Sequence, residues 1–358
     1  MKKIFALALA LSLSLSLAAC GNNSGSGSGT TPPPADNSSS ADKSGGTTTP
    51  APANNVTLKL GFSTNEEDPR ALGAKQFKEE VESKTNGAVT IEIYPSGQLG
   101  GDADLINSIS LDSGTVDIII TDASNFATYE PKMGISALPF QFADFEEAWA
   151  FMDSDVEAEA EAGLIPQNMR VLAHYCNGFR CVTNSKGPVE SPDDMKGMLI
   201  RTPENPVIMA TMTAMGANPQ PLAFNELYQA LNQGTYDAQE NPIPVIYNNN
   251  LYEVQEYLSV TNHIYSGMCF TIAESSWNKL SADQQAIVEA AAKASADYDR
   301  DLNKQMTDDL VSSLEQAGMK INNPDLAPFA EATASVLTDN ADTYGGLLSK
   351  LADWKAAR

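Results

Sequence analysis

An α/β fold of two similar domains is predicted by three features of this chain. Strand-like runs alternate with segments of helical apolar spacing. A seven-residue pattern recurs, Leu111-Asp112-Ser113-Gly114-Thr115-Val116-Asp117 matching Leu231-Asn232-Gln233-Gly234-Thr235-Tyr236-Asp237 in type and order. The stretch from Ser281 to Ala317 is Ala-rich and unbroken by Gly or Pro, which predicts one or two long helices near the C-terminus.

Thr57 to Phe62 and Val89 to Tyr94 have strand character, and between them Leu72, Gln76, Phe77 and Val81 give Arg70 to Lys84 a helical period, a β-α-β unit. Leu105 to Leu111 reads as a helix, followed by Gly114-Thr115 and a strand from Val116 to Thr121. In both copies of the echo a helix ends near a Gly suited to the left-handed conformation and the chain re-enters at Asp. Such junctions are common in α/β chains, so the echo supports duplication only together with the alternation around it. Further on, Met195 to Arg201 reads as a strand and Pro206 to Met215 as a helix with Pro in its first turn and Gly216 after its end. Asn225 to Gln233 reads as a helix capped by Asn225, with Leu227, Ala230 and Leu231 on one face, and Ile264 to Ala273 as a strand. This order implies largely parallel sheets.

The N-terminus reads as a secretory signal over residues 1–19. Lys2 and Lys3 precede an apolar run, Ile4 to Leu17, too short to span a bilayer comfortably. It ends in Leu17-Ala18-Ala19-Cys20, which resembles the bacterial lipobox, whose Cys becomes the lipidated first residue of the mature chain. An ordinary secretory signal with an incidental Cys is the alternative. From Gly21 to Asn55 the chain is dominated by Gly, Ser, Thr, Pro and Asn, a composition that buries too little to offset the entropy of ordering; residues 20–55 are therefore expected to be a lipidated Cys and a flexible tether. No later segment is apolar enough for a transmembrane helix, so the lipid is the expected membrane contact.

Residues 56–358 are long enough for one large or two moderate domains. The whole chain has 22 Lys and Arg against 46 Asp and Glu. Loss of Lys2 and Lys3 with the signal leaves the mature chain near −26, a field that opposes nucleic acid and anionic lipid. An anionic ligand would need a local cationic site. Beyond Cys20, three cysteines remain: Cys176, Cys181 and Cys269. Cys176 and Cys181 flank Asn177-Gly178, a hairpin-type dipeptide, and suit a bridge across a turn; Cys181 with Cys269 is a second pairing, and three buried thiols is the third reading. The two histidines, His174 and His263, show no zinc-ligand spacing with them.

The chemistry concentrates between Asn177 and Pro242. Arg180 follows Asn177-Gly178-Phe179, Arg201 closes the strand-like Gly197-Met198-Leu199-Ile200, and Asn241 stands in Asp237-Ala238-Gln239-Glu240-Asn241-Pro242, read as a turn. Arg201 sits at the end of a strand and before a helix, where open α/β sheets place ligands. Its planar fork can grip a carboxylate with two hydrogen bonds, about 1.5 to 3 kcal/mol each where water is excluded. An arbitrary Arg is more often a surface ion-pair partner, but this chain has only six and uses Lys for most of its positive charge. Glu240 invites a general-base role; a hydrogen-bonded loop carboxylate is the simpler reading. There is no G-x-S-x-G, H-E-x-x-H, phosphate-binding Gly-Lys loop or dinucleotide fingerprint, so neither cofactor nor resident metal is expected.

These segments, with Lys196-Gly197-Met198-Leu199-Ile200-Arg201-Thr202-Pro203, Met215-Gly216-Ala217-Asn218-Pro219, Tyr94-Pro95-Ser96-Gly97-Gln98-Leu99-Gly100 and Leu138-Pro139-Phe140-Gln141-Phe142, resemble the solute-binding subunits of TRAP transporters, the DctP type, in order and over essentially Val56 to the C-terminus. The resemblance implies a two-domain periplasmic-binding-protein-like (type II) α/β fold with a hinge and a long C-terminal helix, residues 56–177 with about 267–305 forming one domain and 178–266 with about 306–358 the other. It implies a receptor, not an enzyme, that closes on a small organic acid and delivers it to a sodium-coupled permease of a small and a large membrane subunit. By that resemblance Arg201 binds the ligand carboxylate, Arg180 assists, Asn241 adds a hydrogen bond and Phe224 packs on the ligand. Phe224 read alone is equally a core aromatic. Ser63, Asp102 and Asp122 fall where family members place polar contacts from the first domain. Ala238 departs from the Gly usual before Gln-Glu-Asn-Pro.

Three functional readings follow. The first is the extracytoplasmic, lipid-anchored receptor, its ligand a hydroxylated monocarboxylate such as a uronate or other sugar acid. The loops Ser63 to Asp68 and Thr121 to Phe126 offer mainly Ser, Thr, Asn, Asp and Glu, which suit hydroxyls better than the second carboxylate of a C4-dicarboxylate, the alternative ligand. The second is a secreted enzyme on acidic sugars with Asp122 and Glu240 as its acid–base pair. The third, an ABC-type binding protein, is opposed by the Gln-Glu-Asn-Pro and Leu-Pro-Phe motifs.

Overall fold

The structure, a computed structural model, describes residues 55–358. The signal, the Leu17-Ala18-Ala19-Cys20 motif and nearly all of the tether lie outside the described residues. Nine strands form one sheet: β1 Val56–Gly61, β2 Val89–Tyr94, β3 Ile118–Asp122, β4 Met169–Asn184, β5 Leu199–Thr202, β6 Asn218–Pro221, β7 Ala238–Pro242, β8 Tyr257–Ala273 and β9 Lys320–Asn322. Their order is β2-β1-β3-β8-β4-β7-β5-β6, with β9 beside β8.

The two ends of this sheet are built alike. At one, β1 pairs in parallel with β2 and β3; at the other, β5 pairs in parallel with β6 and β7. The repeated heptad supplies corresponding joints. Gly114 and Gly234 take φ of 71° and 69°, a left-handed turn that favours Gly, and the Asp three residues on then bridges to the neighbouring strand. Asp117 Oδ2 accepts from the Lys59 amide at 2.9 Å, and Asp237 Oδ2 from the Leu199 amide at 2.9 Å. Each Asp also donates its own amide to the same strand residue's carbonyl, again at 2.9 Å.

The centre differs from the expectation of largely parallel sheets. β8 is antiparallel to β3 and β4, and β4 is antiparallel to β7. The reason is two long strands of 16 and 17 residues, β4 and β8, which pair with each other and tie the parallel ends together. Sequence reading shortened β8 to Ile264–Ala273 and did not find β4, because Asn177-Gly178 looks like a hairpin turn. It is a β-bulge: the pairing register shifts between Cys176 and Gly178, and Gly178 adopts φ 114°. Asp237-Ala238-Gln239-Glu240-Asn241-Pro242, read as a turn, is mostly β7, and its Gln239, Glu240 and Asn241 are all buried. Polar residues ending in Pro mimic a turn, yet here each finds its partner inside.

Other elements follow the pattern with shifted ends. The Pro69–Lys84 helix is capped by Asp68, and Pro206–Ala214 by Asn205. Met195, the first residue of the expected Met195–Arg201 strand, instead closes the 3₁₀ turn Pro192–Met195, and β5 starts only at Leu199. Asn225 is not a cap: the helix begins at Phe224 after Ala223. Ser281 to Ala317 holds one helix, Ala282–Gln316, opened by a capping box between Ser281 and Gln284. Its middle grips the bulge of β4: Asp299 accepts the Cys176 amide at 2.6 Å and Asn303 Nδ2 reaches the Cys176 carbonyl at 2.9 Å. That grip sets the position of Asn177 and, three residues on, Arg180. Cys176, Cys181 and Cys269 are all free and buried, so neither disulfide pairing forms. None of the described helices is long and apolar enough to cross a membrane.

Candidate functional site

Strand ends from both halves of the sheet converge on a cleft of about 700 Å³ lined by residues drawn from four segments, 101–107, 125–129, 201–204 and 221–224, among them Asp102, Asn107, Asn125, Thr128, Arg201 and Phe224. A narrow inner end continues it, sharing Asp102, Asn125, Arg201, Pro203 and Phe224. All seven expected site residues, Ser63, Asp102, Asp122, Arg180, Arg201, Phe224 and Asn241, line this inner end. Ser63 follows β1, Asp102 opens a helix, Asp122 closes β3, Arg180 lies in β4, Arg201 in β5 and Asn241 in β7.

The arginines have different partners. Arg180 is 3 % exposed and is held by Glu240: Nε bonds one carboxylate oxygen, Nη2 the other at 2.8 Å, and Nη2 also the Glu240 carbonyl at 2.9 Å. Nη2 reaches Asn241 Oδ1 at 3.3 Å, and Nη1 reaches Ser266 Oγ at 3.3 Å and lies 3.9 Å from Asp122. Burial alone would push the Glu240 carboxyl up, but Arg180 outweighs it and holds the group down at about 2. His263 Nε2 stands 3.3 Å from the same carboxylate, and burial holds that imidazole below its ordinary value.

Arg201 is equally buried, 3 % exposed, and has no ion pair among the described residues. Its Nε and Nη2 donate to one carbonyl, Leu222 O, at 2.9 and 2.6 Å, which orients the fork while leaving the charge unmatched. The Phe224 ring covers it at 5.8 Å. Burial lowers this guanidinium to about 10, with the Arg180 charge adding to the effect and Glu240 opposing it. A buried cation without a counter-ion stands at the junction of the inner end and the open cleft, and its unmatched charge is chemically suited to an anion.

The acidic and polar wall is equally specific. Asp122 accepts from the Ser124 amide at 2.9 Å, from the Ser124 hydroxyl and from the Ser266 hydroxyl. Burial raises the Asp102 carboxyl, with the Arg70 charge working the other way, and one of its oxygens has no partner. Asn241 Nδ2 donates to Gln239 Oε1 at 2.6 Å.

Sequence reasoning missed Arg70, Asn177 and Asn125, which complete the inner end. Arg70 lies just beyond the Ser63 to Asp68 loop and brings a cation from the first half: it is 4 % exposed, pairs with Asp68 at 3.1 Å and donates to Asn177 Oδ1 at 2.9 Å. The rarity of Arg, used to single out Arg201, would have flagged Arg70 as well. The outer cleft adds Asn107, Thr128, Tyr129 and Glu204, polar groups suited to hydroxyls. An acid–base pair of Asp122 and Glu240 finds no support here. Asp122 is taken up by two serines, and a carboxylate held near 2 is a poor proton carrier near neutral pH.

The model of the bacterial extracellular solute-binding protein family 7, DctP, matches residues 60–343. The 2,3-diketo-L-gulonate-binding periplasmic protein of Escherichia coli is 34 % identical over 285 residues, 79 % of this chain and 86 % of that one. A TRAP periplasmic solute-binding protein from Roseobacter denitrificans with bound L-galactonate superposes with a TM-score of 0.78 at 34 % identity, covering 82 % of this chain and 98 % of that one. One from Sulfurospirillum deleyianum with bound succinate gives 0.79 at 28 % identity, covering 83 % and 98 %.

Proposed function

The chain belongs to the bacterial extracellular solute-binding proteins of family 7, the solute receptors of TRAP transporters, and we propose that its ligand is a hydroxylated monocarboxylate such as a uronate or other sugar acid. One observation carries this reading: of the three arginines at the inner end of the cleft, Arg70 and Arg180 are paired with Asp68 and Glu240, whereas Arg201 alone lacks a carboxylate. One free guanidinium suits one carboxylate. The rest of the ligand would meet Asp102, Asn107, Asn125 and Thr128, which offer hydrogen bonds to hydroxyls and no second unpaired cation. The L-galactonate bound by one relative and the 2,3-diketo-L-gulonate binding for which another is named favour this class over the succinate bound by a third.

Arg201 then anchors the carboxylate, Arg180 directs Nη1 toward it, Asn241 contributes hydrogen bonding and Phe224 covers the ligand. Ser63, Asp102 and Asp122 contact its hydroxyls from the opposite side. Residues 56–177 with about 267–305 and residues 178–266 with about 306–358 form the two closing domains, connected through β4 and β8. Ligand bound to both sides favours the closed state by its differential affinity. Lipid at Cys20 and the 20–55 tether hold the receptor at the outer face of the membrane, beside the small and large permease subunits. A thermal-shift screen of organic acids tests the ligand class. Stabilisation by aldonates or uronates is expected; stabilisation by C4-dicarboxylates alone overturns it.

A further inference from the structure

A second constellation of ionisable groups shares no lining residue with the cleft. His174 of β4 and Cys269 of β8 are direct register partners across the antiparallel pair, so both side chains stand on one face of the sheet. Glu161, at the end of the helix Asp155–Glu161, brings Oε1 to 2.5 Å from His174 Nε2. One ligand atom each from Glu161, His174 and Cys269 lie within 4.8 Å of one another.

Two further features mark this cluster as a site. The first is the support behind His174: its Nδ1 lies 3.1 Å from Asp153 Oδ1, and Asp153 is itself clamped by Arg300 at 2.6 and 2.8 Å. A carboxylate on Nδ1 fixes the ring and aims Nε2 at the cluster, the arrangement found behind metal-ligating histidines. The second is Glu157, one turn before Glu161 on the same helix. It is 0 % exposed, and neither carboxylate oxygen has a partner. A buried carboxyl with neither oxygen paired is open to a cation.

We propose that Glu161, His174 and Cys269 hold a divalent transition-metal cation of the zinc class, with Glu157, whose carboxylate lies outside the 4.8 Å set, turning in on binding as the fourth donor. A thiolate, an imidazole and carboxylates select such an ion over calcium or magnesium, which prefer all-oxygen shells. With four protein donors the site is closed, hence structural, tying the 155–161 helix to β4 and β8. Tetrahedral ligation opens the 2.5 Å contact between Glu161 and His174 to about 3.3 Å, a shift within reach of the Glu161 side chain. A cavity of about 480 Å³ lined by Asp153, Glu161, His174 and Arg300 provides an entry path.

The test is equilibrium dialysis of the chain carrying Cys20→Ser against cobalt(II), read by metal content and thiolate-to-cobalt absorption. One cobalt per chain with that absorption is expected, unchanged in Cys176→Ser and Cys181→Ser and lost in Cys269→Ser. Glu157→Gln, which keeps the volume and replaces a carboxylate donor oxygen by an amide, should weaken binding at least tenfold and carries the test if Cys269→Ser does not fold. Zinc should raise the Tm of the parent chain, leave that of Cys269→Ser unmoved and raise that of Glu157→Gln less at the same concentration. Absence of the thiolate absorption in the folded parent chain, its survival in Cys269→Ser, or unchanged affinity in Glu157→Gln overturns the assignment.

Discussion

Arg180 and Glu240 are diagonal neighbours on adjacent antiparallel strands and form a two-point ion pair almost wholly out of water: Glu240 is 0 % exposed and Arg180 3 %. Their pairing sets the electrostatics of the cleft, because it neutralises one of two adjacent arginines and leaves Arg201 as the free cation among the described arginines of the inner end.

Arg201→Lys keeps the charge and loses the planar fork. Affinity for the stabilising sugar acid should fall at least about tenfold, roughly 1.4 kcal/mol, as measured by calorimetry. Unchanged affinity would remove Arg201 from its role as anchor.

Breaking the Arg180–Glu240 pair from one side strands a buried charge. Glu240→Gln should cost about 3 to 5 kcal/mol in chemical denaturation, whereas replacing both residues with apolar groups of similar volume should cost less than that single change. A double replacement as costly as the single one plus a full second penalty would show that the two residues act independently.

The same pair predicts acid sensitivity. Glu240 has a folded-state value depressed from 4.5 to about 2, so its contribution is fully present above pH 4.5 and is lost as the pH falls through the folded value. Unfolding free energy measured between pH 5 and pH 2 should decline more steeply in the parent chain than in Glu240→Gln. The difference is on the order of 3 kcal/mol. Parallel profiles would refute a depressed Glu240.

The three buried thiols should be silent toward a thiol reagent. Burial pushes Cys176 and Cys181 up to about 12 and raises Cys269 as well, so the native Cys20→Ser chain should show no fast-reacting thiol, and the denatured chain three. Fewer than three after denaturation without reductant would reveal a disulfide.

Lipidation at Cys20 predicts that the native chain partitions into detergent and that Cys20→Ala releases it to the aqueous phase. Mass spectrometry of the N-terminal peptide should find a lipid mass on Cys20. An unmodified Cys20 would restore the reading of a plain secretory signal.

The sequence by itself determined the local parts. The left-handed Gly114 and Gly234 with the following Asp fixed the duplicated joints, because a positive φ and a short carboxylate act over a few residues. The α/β class, the rarity of Arg and the motifs around Arg201 were likewise legible, and all seven expected site residues do meet in one cleft. Only the tertiary structure decided which arginine is free. That depends on Glu240 lying beside Arg180 on β7, a partnership across 60 residues of sequence inside a segment whose polar residues and Pro mimic a turn. The long strand β4, hidden by the Asn177-Gly178 bulge, and the meeting of Glu161, His174 and Cys269 have the same origin. Antiparallel pairing of distant strands sets these contacts, and no local propensity encodes which strand a residue will face.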